Sequence, residues 1–145
     1  MSTSLYDSDF YAWANEQASL LRAGKLSAAD IENIAEEIES MGKTEQRELE
    51  NRLAILLQHL LKWQYQPERR SKSWAATIKV QRRDLTRHLK RNPSLKANLD
   101  ETIDDAYGDA VLLAVGETDL PESTFPVACP WPFERIMDAE FWPES

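Results

Sequence analysis

The stretch from Thr44 to Gln66, TEQRELENRLAILLQHLLKWQYQ, constrains the fold of this chain more than any other. It contains no glycine and no proline, and only one β-branched residue follows its first position. Because glycine, proline and β-branched residues are the poorer helix formers, this composition predicts a helix of about six turns. We expect the rest of the chain to be arranged around it.

Leucines mark the side of this helix that faces a core. Leu49, Leu53, Leu56 and Leu60 recur at spacings of four, three and four. On a helical wheel they fall within a wedge of about 60°. The spacing predicts a stripe that packs against other helices.

Polar and aromatic side chains follow one border of the leucine stripe. They are Glu45, Glu48, Arg52, His59, Trp63 and Gln66. In one interpretation Glu48 and Arg52 form an i,i+4 ion pair worth a few tenths of a kcal/mol, and His59 covers the edge of the core. In the other, these side chains line a polar groove between helices. The sequence leaves both open.

The length of 145 residues fits one domain over residues 1–145, which would bury about two-thirds of its unfolded surface. The single cysteine, Cys129, excludes an internal disulfide. With only His59 and His88 besides, the usual thiolate and imidazole zinc sites cannot be assembled in one chain. We therefore expect no metal and no cofactor.

The N-terminal residues MSTSLYDSDFY contain no basic segment followed by an apolar one. No apolar run approaches the ~18 residues that a membrane span needs. We expect a cytoplasmic protein without a membrane partner.

Charge is segregated along the chain. Residues 1–50 carry 11 acids and 4 bases, residues 51–100 carry 3 acids and 12 bases, and residues 101–145 carry 11 acids and 1 base. A basic centre is one mark of nucleic-acid binding. The total of −8 disfavours that function, because the summed field steers polyanions. We expect the acidic flanks to neutralise the centre.

Two helices are predicted before the central one. The first begins at Asp7 or Ser8 and ends near Ala23, where Gly24 follows as a stop. The second begins at a capping box and ends near Gly42. Its apolar stripe consists of Ile31, Ile34, Ile38 and Met41.

The capping box of the second helix is formed by Ser27 and Asp30. Thr44 is a good N-cap for a new helix, which favours a break at residues 41–43. Within the second helix, Glu37 is the carboxylate that we expect to be partly buried.

A fourth helix is predicted from about Ser73 to Arg91, with Ser71 or Ser73 as its cap. Arg82 falls inside its apolar stripe. A buried guanidinium needs a carboxylate partner, since an unpaired buried charge costs several kcal/mol. The alternative is that the stem of Arg82 lies on apolar surface while its head reaches water.

The last predicted helix opens at Asn92-Pro93, with Asn92 as N-cap, and Gly116 is its expected stop. Glu117 continues the stripe if one more residue is helical. It is then a candidate partner for Arg82 or His59.

From Thr118 onward the chain contains five of its seven prolines and five spaced aromatic residues. We expect an extended arm over residues 118–145 that wraps a helical core over about residues 7–117, with a short helix near residues 132–138. So many aromatic side chains are poorly tolerated in water. A tail that binds a partner is the alternative.

Long segments of the sequence resemble a bacterial family known as domain of unknown function twenty-nine, found in cyanobacteria and proteobacteria. The segments are residues 6–25, 30–53, 56–82, 92–95 and 125–143. The resemblance implies a small all-helical cytosolic protein and brings no established activity or catalytic residue.

The resulting prediction is an all-α, single-domain bundle of about five helices with a proline- and aromatic-rich arm. Our first hypothesis for its function is a non-catalytic interaction or regulatory module whose groove binds a protein, a peptide or a small polar ligand. The candidate residues are Glu37, Arg52, His59, Trp63, Arg82 and Glu117.

Two alternatives remain. One is an enzyme in which His59 works with a carboxylate from another helix. The other, which the net charge disfavours, is nucleic-acid binding through the basic centre. The sequence settles neither catalysis nor oligomeric state.

Overall fold

The computed structural model describes residues 4–144. Within them the chain forms six α-helices and no strand, which confirms the all-α prediction. The helices are α1 (Leu5–Ser8), α2 (Phe10–Arg22), α3 (Ile31–Tyr65), α4 (Lys72–Arg91), α5 (Leu99–Glu117) and α6 (Phe133–Met137). Short 3₁₀ turns lie at Leu26–Ala28, Pro67–Arg69, Pro93–Asn98 and Glu122–Thr124.

The chain divides into two compact units, residues 1–44 and residues 45–145. The boundary falls inside the sequence of α3. A single domain over residues 1–145 stays a prediction. The expected absence of a secretion signal depends partly on residues 1–3, which lie outside the described residues.

In the first unit, α1 and α2 are separate helices. The predicted start at Asp7 or Ser8 is wrong because the Asp9 carboxylate caps α2, accepting from the Ala12 backbone N–H at 3.0 Å. The predicted stop is confirmed, since Gly24 has φ +72°, a conformation that favours glycine.

The start of α3 differs from the predicted capping box. Asp30 is the residue before the helix, and its Oδ1 lies 3.5 Å from the Asn33 backbone N–H, whereas Ser27 lies in a 3₁₀ turn. The Asp30 backbone N–H donates to Gln17 Oε1 at 2.6 Å, and Trp13 Nε1 donates to its Oδ2 at 3.1 Å. Two buried side chains of α2 therefore fix this start.

The predicted break at residues 41–43 is wrong, because α3 is continuous from Ile31 to Tyr65. Thr44 does not cap a new helix. Its hydroxyl donates to the Ser40 carbonyl oxygen, 2.9 Å away, as a residue inside a helix does. One glycine in a helix costs about 1 kcal/mol, which the good helix formers around Gly42 outweigh.

The second unit is built around the leucine stripe, which is fully buried as predicted. Residues from α4, α5 and the arm complete the core. They include Ile78, Leu85, Leu89, Ile103, Ala106, Ala110, Phe125, Trp131 and Ile136.

Helices α4 and α5 differ from prediction mainly at their ends. Ser71 Oγ accepts from the Trp74 backbone N–H at 3.2 Å, so Ser71 is the cap of α4. The α-helical part of α5 begins at Leu99, not at Pro93, because a 3₁₀ turn precedes it. Asn92 makes no capping bond there. The end lies at Glu117, one residue beyond the expected glycine stop.

The C-terminal arm packs over the core of its own unit, as predicted. Phe125, Trp131 and Ile136 are buried, and a short helix, α6, forms where expected. The Tyr107 hydroxyl donates to the Pro126 carbonyl oxygen at 2.7 Å, and burial raises the pKa of Tyr107 to about 12.

Candidate functional site

Arg82 is buried on the inner side of α4, as predicted, with 5% of its surface exposed. The predicted carboxylate partner is wrong. Nε donates to the Ile136 carbonyl oxygen and Nη2 to the Phe141 carbonyl oxygen, both at 2.8 Å. Burial lowers the pKa of Arg82, and the Asp138 charge opposes that effect. Main-chain carbonyl oxygens of the arm accept hydrogen bonds from two of the three guanidinium nitrogens. Arg82 therefore binds the arm to the bundle.

His59 is half-buried at the edge of the core. The prediction that it meets a carboxylate of another helix is wrong, because Nδ1 lies 2.8 Å from the carbonyl oxygen of Ile55 on its own helix. A carbonyl only accepts, so Nδ1 carries the hydrogen. Burial lowers the pKa of His59, which favours the neutral ring.

Glu117 pairs with neither Arg82 nor His59. Its Oε2 accepts from Lys62 Nζ and from Gln58 Nε2, each at 2.7 Å. The hydrogen bond from Lys62 holds the pKa of Glu117 below its usual range.

The partner of Glu117 was missed by sequence reasoning. Lys62 is buried, with its ammonium 4.7 Å from the centre of the Trp74 ring. It lies away from the leucine stripe, and α3 is covered around much of its circumference at this point. Leucine periodicity therefore carries no signal for its burial.

Trp63 and Arg82 share a neighbour in the arm. The rings of Trp63 and Trp142 have their centroids 4.7 Å apart, and the guanidinium carbon of Arg82 lies 5.6 Å from the Trp142 ring. Arg70 also reaches Trp63, with its guanidinium carbon 5.0 Å from the ring. The two contacts with Trp142 join the bundle to its arm.

The two remaining candidates lie apart from these contacts. Glu37, in the first unit, is partly buried as predicted, and it accepts from the Tyr6 hydroxyl at 3.1 Å. Arg52 forms the expected pair with Glu48 at 3.2 Å and a second, unpredicted pair with Asp84 of α4 at 3.2 Å. Trp63 and Arg82 thus share a neighbour while the other four candidates have separate partners, and ligand binding by the six stays a prediction.

A polar cluster between α3 and α4 centres on His88. This side chain is only 6% exposed. Its Nδ1 lies 2.9 Å from Glu48 Oε2 and 3.6 Å from Glu45 Oε2, and its Nε2 lies 2.8 Å from the Glu45 carbonyl oxygen. We call Glu45, Glu48 and His88 the His88 cluster.

The chemistry of the His88 cluster follows from its hydrogen bonds. Nε2 faces a carbonyl oxygen and so carries a hydrogen, which leaves Nδ1 directed at two carboxylates. Nδ1 and the two carboxylates can share a proton or a metal cation. A surface cavity of about 170 Å³ adjoins the cluster and is lined by Glu48, Arg52, Asp84, Arg87, His88 and Arg91.

Sequence reasoning placed two of the three residues of this cluster on one polar ridge but missed the third. The polar ridge on α3 contains Glu45 and Glu48, but His88 was not assigned to a site. The available signal was its position three residues after Leu85, on the buried side of α4.

The apolar stripe at the start of α3 is not covered. Ile31, Ile38 and Met41 are 52%, 58% and 60% exposed. Ile34, between them, is partly exposed. The stripe predicted the helix correctly but not the burial that such a stripe usually implies.

The fold and its polar contacts define a class, the small all-helical proteins in which a C-terminal arm closes the core of a bundle. The family model of the domain of unknown function DUF29 matches residues 5–142, so the chain belongs to that family. No curated protein and no solved structure matches the chain significantly. Among the described residues, no helix combines the length and the apolar character needed to cross a membrane.

Proposed function

We propose that this protein is a non-catalytic interaction module that binds a partner protein through the exposed apolar stripe of α3. The stripe consists of Ile31, Ile34, Ile38 and Met41. The observation that carries the proposal is that three large apolar side chains on one side of a helix are each more than half exposed. Contiguous exposed apolar surface of this kind is typical of interaction sites.

The spacing of the stripe fits recognition of another helix. Ile31, Ile38 and Met41 are separated by seven and three residues, which is the anchor pattern of a helix that packs in an apolar groove. Complete burial of one such side chain contributes about 1.5–3 kcal/mol. Three or four anchors together offset part of the entropic cost of association.

Charge indicates what kind of partner fits. Residues 4–44 carry eight acids and three bases. A partner with an apolar groove flanked by lysine or arginine would complement this surface. The same surface of a second copy would bring like charges together, which disfavours symmetric self-association.

An enzyme with His59 as acid or base has less support. The ring nitrogen that would meet an orienting carboxylate binds the Ile55 carbonyl of the same helix. The thiol of Cys129 is half-buried, and burial raises its pKa, which disfavours the reactive thiolate.

The test places a photo-crosslinking amino acid at Met41 of the full chain in its native cells, with and without Ile38→Asp. We expect a discrete crosslinked species that Ile38→Asp abolishes. The matched control is Leu112→Asp on α5, since Leu112 is also an exposed aliphatic residue, 61% exposed. It should leave the species unchanged.

Two outcomes would contradict the proposal. A crosslinked species that persists in Ile38→Asp would exclude the stripe as the contact surface. A lower unfolding temperature of purified Ile38→Asp, with no change in Leu112→Asp, would mean that the stripe packs within the chain.

A second candidate function, nucleic-acid binding, is favoured by one observation. Six exposed basic side chains lie on α4 and, among the described residues, have no carboxylate within 4.0 Å. They are Lys72, Lys79, Arg83, Arg87, Lys90 and Arg91. Binding that weakens steeply with salt, and that Arg83→Glu reduces, would support this function. Absence of binding at low salt would exclude it.

A further inference from the structure

We propose that Glu45, Glu48 and His88 form a binding site for a first-row divalent transition-metal cation of the Zn²⁺ type. The inference is independent of the proposed function, since the cluster lies entirely in the second unit and takes no part in the exposed stripe. The expectation of no metal came from the lack of thiolates and imidazoles for a usual zinc site, and the carboxylate-rich set weighed from the sequence was Glu37, Glu117 and His59. The His88 cluster is a different ligand set.

The geometry of the ligand atoms fits one shared cation. One ligand atom from each of the three residues lies within 4.8 Å of the other two. Zinc binds nitrogen and oxygen at about 2.0–2.2 Å, so two ligands of one ion lie roughly 3–4 Å apart. The distances of 2.9 Å and 3.6 Å from Nδ1 to the two carboxylates are close to this range. Only small side-chain shifts are needed to admit an ion.

The imidazole is already held as a metal ligand would be. Nε2 binds the Glu45 carbonyl oxygen at 2.8 Å, which fixes the ring orientation and leaves Nδ1 as the ligating atom. Ligating histidines commonly use their second nitrogen in this way. Because the side chain is almost fully buried, the ring is positioned before any cation arrives.

The carboxylate of Glu48 is also held in position by a neighbouring side chain. Arg52 Nη2 binds Glu48 Oε1 at 3.2 Å, so the other oxygen, Oε2, is the one that faces His88. The second nitrogen of the same guanidinium, Nη1, binds Asp84 at 3.2 Å. Asp84 therefore offsets part of the positive charge of Arg52, while Arg87 and Arg91, which line the same cavity, add positive charge that the two glutamates have to outweigh.

The ligand set selects the class of metal. Imidazole with carboxylates suits zinc, manganese and iron(II), whereas calcium requires six to eight oxygen ligands. Three protein ligands leave a position for water at the adjoining cavity. The competing arrangement has no metal, with a second proton on His88 and a simple ion pair to Glu48.

The test measures Zn²⁺ binding to the full chain by titration calorimetry after treatment with a chelator, and the visible spectrum of the Co²⁺ form. We expect one Zn²⁺ per chain and at least tenfold weaker binding in the Glu45→Gln/Glu48→Gln variant. Glutamine keeps the size of each side chain but removes its charge. The unfolding temperature of each variant shows whether it still folds.

The matched control is Glu36→Gln/Glu39→Gln. These residues have the same i,i+3 spacing on the same helix and are exposed. The control should leave Zn²⁺ binding unchanged.

Absence of stoichiometric binding at about 100 μM Zn²⁺, equal loss in both double variants, or unchanged binding in Glu45→Gln/Glu48→Gln would each overturn the proposal. In that case His88 forms only an ion pair. None of these results depends on whether Ile38→Asp disturbs a partner, so failure here is separable from failure of the proposed function.

Discussion

The guanidinium Nε of Arg82 lies 2.8 Å from the carbonyl oxygen of Ile136, which joins α4 to the C-terminal arm. The two residues are 54 positions apart in sequence, and the segment between them includes all of α5. A second bond, from Nη2 to Phe141, holds the residues that follow α6. The arm is thus fixed to the bundle by hydrogen bonds from one buried cation as well as by apolar packing.

Replacement of Arg82 by methionine should lower the free energy of unfolding by about 2–4 kcal/mol. Two charge-assisted hydrogen bonds are lost and two carbonyl oxygens lose a donor, although the cost of burying the charge is relieved. Urea unfolding measures the change. Arg83→Met is the control, because Arg83 is exposed on the same helix. A loss of equal size in both variants would mean that the arm does not depend on Arg82.

Packing of the arm can be tested at two of its aliphatic residues. Ile136 is fully buried and Val127 is fully exposed. Ile136→Ala should cost about 2–5 kcal/mol, since it leaves a cavity in the core. Val127→Ala should change stability by less than about 0.5 kcal/mol. Thermal unfolding of both variants provides the comparison, and a negligible effect of Ile136→Ala would show that the arm is not part of the core.

The pair between Lys62 and Glu117 should make stability depend on pH. Because the pKa of Glu117 is lowered in the folded protein, the stabilisation is present above the ordinary value of 4.5 and is lost as the pH falls through the folded pKa. At neutral pH, Glu117→Gln should cost about 1–2 kcal/mol, because the ammonium of Lys62 is buried while the carboxylate is partly exposed.

Urea unfolding of wild type and Glu117→Gln between pH 3 and pH 7 measures this dependence. The difference between them should disappear at the acidic end. Glu101→Gln, at an exposed position of α5, should show no such difference. A difference that stays constant with pH would contradict the assignment.

Two glycines should respond in opposite directions to alanine. Gly42 lies inside α3, and a Cβ there meets no atom within 4 Å, so Gly42→Ala should stabilise the protein by about 0.5–1 kcal/mol. Gly24 has φ +72°, where alanine is strained, so Gly24→Ala should destabilise by about 1 kcal/mol. Circular dichroism during thermal unfolding measures both. If Gly42→Ala destabilised the protein instead, that result would support a helix break at residues 41–43, as predicted from the sequence.

Sequence patterns alone determined the helical segments, the buried leucine stripe and the inward side of Arg82. Each of these depends on the helical period or on local composition, which are properties of neighbouring residues. The arm was predictable for a similar reason, since prolines exclude long helices and exposed aromatic residues are costly.

The tertiary structure decided which groups meet. The carbonyl oxygens that bind Arg82, the pairing of Lys62 with Glu117 and the contact of His88 with two carboxylates join residues from 40 to 59 positions apart. Periodicity states which side of a helix a residue occupies but not what another element places opposite it. The same limit explains the exposed stripe at Ile31, Ile38 and Met41, because burial depends on whether a neighbour covers a surface, and no helix carries that information in its own spacing.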